Sequence, residues 1–454
     1  MRRLRWTSLL LVLAACTAPE GAEREISIPY ESFSLDNGLT FLVNEDRSVP
    51  VIAVDVWYHV GSGYEEQGRS GFAHLFEHLM FEGSRNVPEG DFDNLLESAG
   101  GVNNGSTNTD RTNYFEIVPS NALELALWLE ADRMGGLLAD MSQDKLDIQR
   151  DVVKNERRQS YENRPYGMFW PTLSEALYPE GHPYSWPTIG SMEDLSAAEL
   201  EDVEAFFRRY YAPNNAVITI SGDVDAAEVR EVAERMFAWI PAGEPVERPS
   251  AGSPEIPETR YLTLEDRVTL PQVNLVWRAA PAYSDDSPAL DALADILGGG
   301  KNSRLYKRLV YDEQRVQSVS ASNWDKLMAG DFLVRVTARS DESLNDLEEA
   351  VLEEVAKLAT EAPTDEELAR VVNGVETRIV SGLETAIGRA ERLQRYYYYT
   401  GDPDYAAEEL ARYRALTPAD VQAAAARYLD GQNRIVISVV PNGTTDVAAG
   451  EVGS

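Results

Sequence analysis

Two stretches of this chain echo each other, and that constrains its fold more than any other feature. EDRSVPVIAVDVWYHVGS begins at Glu45 and EDRVTLPQVNLVWRAAPA at Glu265, an offset of 220 residues. Both read as a turn followed by a strand, and Trp57 falls where Trp277 falls. The ends correspond too. A helix through Phe206 and Tyr210 leads to Asn215 and the strand AVITIS; a helix through Ala424 and Tyr428 leads to Asn433 and RIVISVV. Between the halves lies PAGEPVERPSAGSPEIP, from Pro241 to Pro257, whose five prolines exclude helix and sheet interior. The expected layout is a first domain over 26–240, an extended linker over 241–258, a homologous second domain over 259–445 and a tail over 446–454.

Within each half, alternating strands mix with amphipathic helices such as Leu123 to Met134 and Leu344 to Leu358. Strands neighbour strands and helices neighbour helices, which favours α+β over a doubly wound sheet. Two α/β sandwiches are expected.

The amino terminus reads as an address. Arg2, Arg3 and Arg5 precede an apolar run from Leu9 to Ala15, the pattern of a secretory signal. That run is far shorter than the roughly 20 residues that span a bilayer. It ends LAAC, which resembles a bacterial lipobox. Residues 1–15 are then a lipoprotein signal peptide, Cys16 the lipidation site and 16–25 a tether. The membrane is touched only through that anchor, and the expected location is the periplasm or cell envelope, with the outer membrane favoured.

Net charge is −35, which argues against nucleic acid and anionic lipid as partners. With one cysteine, any transition-metal site must draw on the four histidines and on carboxylates.

Two of those histidines lie in SGFAHLFEHLMFEG, Ser70 to Gly83. Ser70 is a candidate N-cap and Gly83 a candidate stop. Phe72, Leu75, Phe76, Leu79 and Met80 form one apolar stripe, which leaves His74, Glu77 and His78 on the opposite face. Two imidazoles one turn apart can share a zinc with a carboxylate beside them. A solvated polar face is the plain alternative; the rarity of HxxEH in a chain with four histidines favours metal.

The order H-x-x-E-H is the inverzincin signature. With it the sequence resembles the pitrilysin/insulinase family of zinc metallopeptidases, through HLFEHLMFEGS, ESAGGVNNGSTNTDRTNYFE, DVVKNERRQ, HPYSWPTIGSMEDL and GGGKNSRLYKRL in family order. A catalytic zinc keeps three protein ligands, and no third histidine lies nearby, so a carboxylate is expected. Ser142 to Tyr161 reads as a helix with Ile148, Val152, Val153 and Glu156 along one side, and the resemblance maps the downstream ligand to Glu156. It also places Gln149 where relatives often carry an acid. It implies one zinc per chain held by His74, His78 and Glu156, Glu77 as general base, and peptide or unfolded-polypeptide substrates. Half of a clam-shaped chamber is the implied shape.

Gly100 to Glu116 reads as a flat strand that another backbone can approach, and the resemblance implies that substrate pairs with it, with Asn103 as a contact. His59 is expected to pack or face solvent, and His182 to be structural. Ala294 and Gly298 stand where a second pair of histidines would fall, and GGGK from Gly298 reads as a helix-ending turn. Many relatives supply an arginine and a tyrosine from the second half, where Val310 and Gln317 stand here. A dimer is expected, with a heterodimer carrying a zinc-less homologous chain as one form. A non-catalytic assembly or binding subunit of the same fold is the alternative.

Overall fold

A computed structural model describes residues 26–340 and 342–450. The signal segment over 1–15 and the whole tether over 16–25, Cys16 included, lie outside the described residues. No helix among the described residues is long and apolar enough to cross a membrane.

The first half builds β1 (Glu31–Ser34), β2 (Thr40–Glu45), β3 (Val51–Tyr58), β4 (Val102–Thr107), β5 (Thr112–Pro119) and β6 (Ala216–Gly222) into one sheet, ordered β1-β2-β6-β3-β5-β4. The second builds β7 (Arg260–Asp266), β8 (Gln272–Ala279), β9 (Val316–Asp325), β10 (Gly330–Ala338) and β11 (Ile435–Pro441) into another, ordered β7-β11-β8-β10-β9. Strand for strand the two orders coincide once β1 is set aside. The parallel pair falls at the same place in each, β2 with β6 and β7 with β11, and the other pairs are antiparallel. Two α/β sandwiches of shared topology result. Phe237 and Arg260 bound a stretch without helix or strand, where the prolines cluster.

The matching of Trp57 with Trp277 needs correction by one residue. Tyr58 pairs with Thr112 at the end of its hairpin ladder, and Ala279 pairs with Gly330 at the end of the equivalent ladder. Tyr58 therefore corresponds to Ala279, and Trp57 to Arg278. The second copy holds one more residue between its EDR and its proline, Pro271 against Pro50. A one-residue slip moves a side chain to the other face of a strand. Trp277 accordingly lies in its own half's core, whereas Trp57 faces away from its core, toward Tyr398 at 6.1 Å.

Both faces of the central strands are buried, so they read as continuous apolar runs. Ile52, Val54, Val56 and Tyr58 join the first core, while Ala53 meets Ala386 and Ala390. Those alanines belong to the helix Ala386–Thr400 of the second half, which lies across β3 and β6. Gln394 of that helix donates to the carbonyls of Asp55 (2.9 Å) and Val217 (2.8 Å). The first half reciprocates. Its helix Phe169–Leu177 sets Phe169, Leu173 and Leu177 against Val276, Leu333 and Ile437 of the second sheet. Each sandwich is thus closed on one face by a helix from the other half.

Candidate metal centre

The helix Phe72–Leu79 buries Phe72, Leu75, Phe76 and Leu79, with Met80 following, in the first core. Tyr114 on β5 donates its hydroxyl to the carbonyl of Phe76 (3.0 Å) and so fixes helix to sheet. The helix does not begin with a Ser70 cap. Gly71 precedes it at φ +90°, wedged against Gly190, and the Ser70 hydroxyl turns to Asp194. The buried carboxylate of Glu65 takes the capping role, accepting the N–H groups of Gly71 (3.0 Å) and Ala73 (2.8 Å). Burial pushes Glu65 up to about 8. The helix ends at Leu79, before Gly83, which adopts φ +101° beside Asp140.

The second element is the helix Gln143–Arg157, followed by a wider turn over Arg158–Glu162. Ser142 caps it, its Oγ accepting the N–H of Lys145 at 3.3 Å. The expected stripe needs correction here too. The helix buries Leu146, Gln149 and Val153, whereas Ile148 is 58% and Val152 41% exposed. Among the described residues its inner face packs chiefly on the histidine helix and the short helix Met192–Ala197, a narrow surface. Glu156 sits at the margin of that inner face, half-exposed rather than on an apolar stripe.

These two helices bring His74, His78 and Glu156 together. One ligand atom from each lies within 4.8 Å of the others. Glu156 Oε2 is 3.6 Å from His74 Nε2 and 3.2 Å from His78 Nε2. Ligands bonded at 2.0–2.2 Å in tetrahedral geometry stand about 3.3 Å apart, so the spacing suits a shared zinc. The buried Nδ1 of His74 has no hydrogen-bond partner among the described residues. Burial lowers His74 against the opposing pull of the Glu156 carboxylate. The hydrogen bond from His78 holds Glu156 below the usual carboxylate range. The donor set and its spacing fit zinc.

Glu77 lies on the same helix as the histidines, beneath β4. Gly105 of that strand meets it: an added Cβ there would stand 3.2 Å from Glu77 Cγ. Gly105 was not legible as a site residue, although the glycine in NNGST was the available signal. Asn103 also lies on β4, and its Nδ2 donates to Asp93 (2.8 Å). β4 is an edge strand of the first sheet, paired only with β5.

The remaining histidines stand apart from the cluster. His59 packs its ring on Tyr398, centroids 4.8 Å apart, and burial lowers it to about 3. His182 faces the Gly252 carbonyl at 3.1 Å and accepts the N–H of Tyr184 at 3.0 Å, a structural role. In the second half Ala294 and Gly298 lie on the helix Ser287–Gly298. Gly298 is pressed against β9, where an added Cβ would meet the Ala321 nitrogen at 2.2 Å. The following glycines form the turn expected of them, with Ser303 Oγ donating to the Gly300 carbonyl. Val310 packs against the second core and Gln317 is exposed on β9.

The chain also matches known families and structures. The family model described as "Insulinase (Peptidase family M16)" matches residues 40–182, and "Peptidase M16 inactive domain" matches residues 197–375. The chain is 33% identical to the zinc protease PqqE of Helicobacter pylori over 79% of this chain and 81% of that one. It is 24% identical to a probable mitochondrial-processing peptidase subunit beta of Arabidopsis thaliana, over 90% and 78%. The crystal structure of a protease from Helicobacter pylori superposes with a TM-score of 0.85 at 29% identity, over 92% of this chain and all of that one.

Proposed function

The chain belongs to the insulinase family, peptidase family M16, and we propose that it is a zinc-dependent metalloendopeptidase that hydrolyses peptides or unfolded polypeptide segments in the bacterial cell envelope. The observation that carries this reading is the convergence of His74, His78 and Glu156 from two helices, with Glu77 beside them. A bound zinc supplies Lewis acidity, polarising a carbonyl and lowering the pKa of water from about 15.7 toward 7. His74, His78 and Glu156 are assigned to hold it. Glu77 is assigned to take a proton from the attacking water and pass it to the leaving amine. Glu77 shares its helix with both histidines, so the base is placed by the same turns that place the ligands.

The substrate backbone is assigned to the free edge of β4, as an added strand. Such pairing recognises main chain rather than side chains, in keeping with a broad peptide preference. Gly105 leaves that edge room beside Glu77. The two sandwiches are read as half of a clam-shaped chamber, with the domain boundary in 241–258. Cys16 is read as the lipid anchor, and mass spectrometry of the mature amino terminus tests that.

Glu77→Gln is the direct test. It is expected to keep one zinc per chain and to lower peptide cleavage by about 10²–10⁴-fold. Full activity in that variant would overturn the assignment.

Val310 and Gln317 support a division of labour in which a homologous chain lacking HxxEH supplies an arginine and a tyrosine. The chain alone is then weakly active and gains activity with that partner; full activity as a monomer or homodimer counts against it. A non-catalytic assembly or binding subunit is the second reading, favoured only by the match of residues 197–375 to a domain described as inactive. Zinc analysis with a chelator-sensitive quenched-peptide assay separates the two.

A further inference from the structure

We infer that Asp110 is a positioning residue, which ties the substrate-accepting strand β4 to the second half of the chain. The inference rests on the peptidase reading above.

Asp110 sits in the turn between β4 and β5 and is 2% exposed. One carboxylate oxygen accepts the hydroxyl of Tyr184. The other accepts the hydroxyl of Tyr399 (2.8 Å) and the N–H of Leu327 (2.9 Å). Its backbone carbonyl accepts the hydroxyl of Tyr398 (2.8 Å). Tyr398 and Tyr399 end the crossing helix Ala386–Thr400, and Leu327 lies in the turn between β9 and β10. That turn is the second half's counterpart of the turn that holds Asp110. The tips of two equivalent hairpins therefore meet at one carboxylate. Tyr184 bridges them, since its oxygen also accepts the N–H of Met328 (3.2 Å).

Strand β4 needs such an anchor. It is held along one edge only, by β5. Its turn is further seated on the loop before the histidine helix, where the Asn108 and Thr109 carbonyls accept the N–H groups of Ser62 (3.0 Å) and Gly63 (2.8 Å). Gly105, five residues before Asp110, is the point of β4 that meets Glu77. A shift at the turn is thus carried along the strand to the place where a paired substrate would lie. A carboxylate can accept from all three donors; a carboxamide has a single acceptor oxygen and must leave at least one donor facing its own N–H₂.

The test compares wild type with Asp110→Asn, using a quenched unstructured peptide that wild type cleaves. Asp110→Asn is expected to raise KM about tenfold, the effect of one lost charge-assisted hydrogen bond, with zinc content and kcat per zinc nearly unchanged. A merely structural role would lower the active fraction, and so kcat, while leaving KM in place. Independently of turnover, the affinity of Glu77→Gln for the same peptide, labelled with fluorescein, is expected to fall about tenfold when Asp110→Asn is added. Tyr399→Phe keeps the ring, removes one donor and is expected to raise KM in the same direction; it carries the test if Asp110→Asn does not fold. Unchanged KM and peptide affinity in an active wild-type background overturn the inference alone. A wild type that neither binds nor cleaves peptide overturns the peptidase reading, and the inference with it.

Discussion

Gly105 on β4 and Glu77 on the histidine helix meet with no side chain between them, an added Cβ on the glycine falling 3.2 Å from the glutamate Cγ. The backbone there has no positive φ, so a larger residue acts through contact alone. Gly105→Val is expected to push Glu77 aside and lower kcat at least about tenfold, a part of what a general base contributes. Zinc content should be unchanged. A variant with wild-type kcat would show that Glu77 has slack at this contact.

Removing a ligand should separate metal from fold. Glu156→Ala takes away one of three protein donors from a half-exposed position. Zinc retained after dialysis is expected to fall below about a tenth per chain, the two-histidine remnant being far weaker than a three-ligand site. The thermal midpoint of the metal-free protein should move little. Metal analysis by mass spectrometry and calorimetry read the two quantities separately.

The triad of Arg133, Glu116 and Glu130 is fully buried, and it is a stability element rather than part of the site. Arg133 bonds both carboxylates and lies over the rings of Phe92 (4.5 Å) and Tyr114 (4.4 Å). Burial, reinforced by the neighbouring Glu130, pushes Glu116 well up. Arg133→Met leaves two buried carboxylates without a cation and is expected to cost about 3–5 kcal/mol, read by urea denaturation.

Asp55 predicts a pH dependence of stability. It is buried on β3, accepts from Trp57 Nε1 and Asn113 Nδ2, and burial raises it from 3.8 to about 7. A raised carboxyl favours the folded state in full below the unfolded pKa. That contribution is lost as pH rises from about 4 to about 7 and is absent above. At roughly 1.4 kcal/mol per pH unit the loss is bounded near 4 kcal/mol. Asp55→Asn should flatten the denaturation free energy across that window; an unchanged slope would assign the dependence to other groups.

The histidine helix was legible because its pattern is local: five apolar positions at helical spacing decide which face His74, Glu77 and His78 occupy. The duplication was legible because two strands and their turns recur in order. The one-residue slip between the copies was not, since Trp57 and Trp277 align by letter while Pro50 and Pro271 fix the true register. Ile148 and Val152 misled because apolarity on a helix says nothing about how wide a neighbouring surface is. The Glu65 cap comes from six residues before Gly71, outside the usual capping position, while the Gly105 contact and the meeting at Asp110 depend on residues brought together only by the fold. Asp110 and Leu327 are 217 residues apart, and no local pattern marks such a pair.

The helix exchange gives the proline-rich segment a meaning beyond spacing. Each half leaves one sheet face uncovered unless the other is present, so the halves stand to each other as the subunits of a swapped dimer do. The stretch between Phe237 and Arg260 then acts as a covalent tether that replaces bimolecular association with a fixed local concentration. Cut there, the chain would yield two fragments whose pairing depends on dilution, each alone presenting a bare apolar sheet face to solvent.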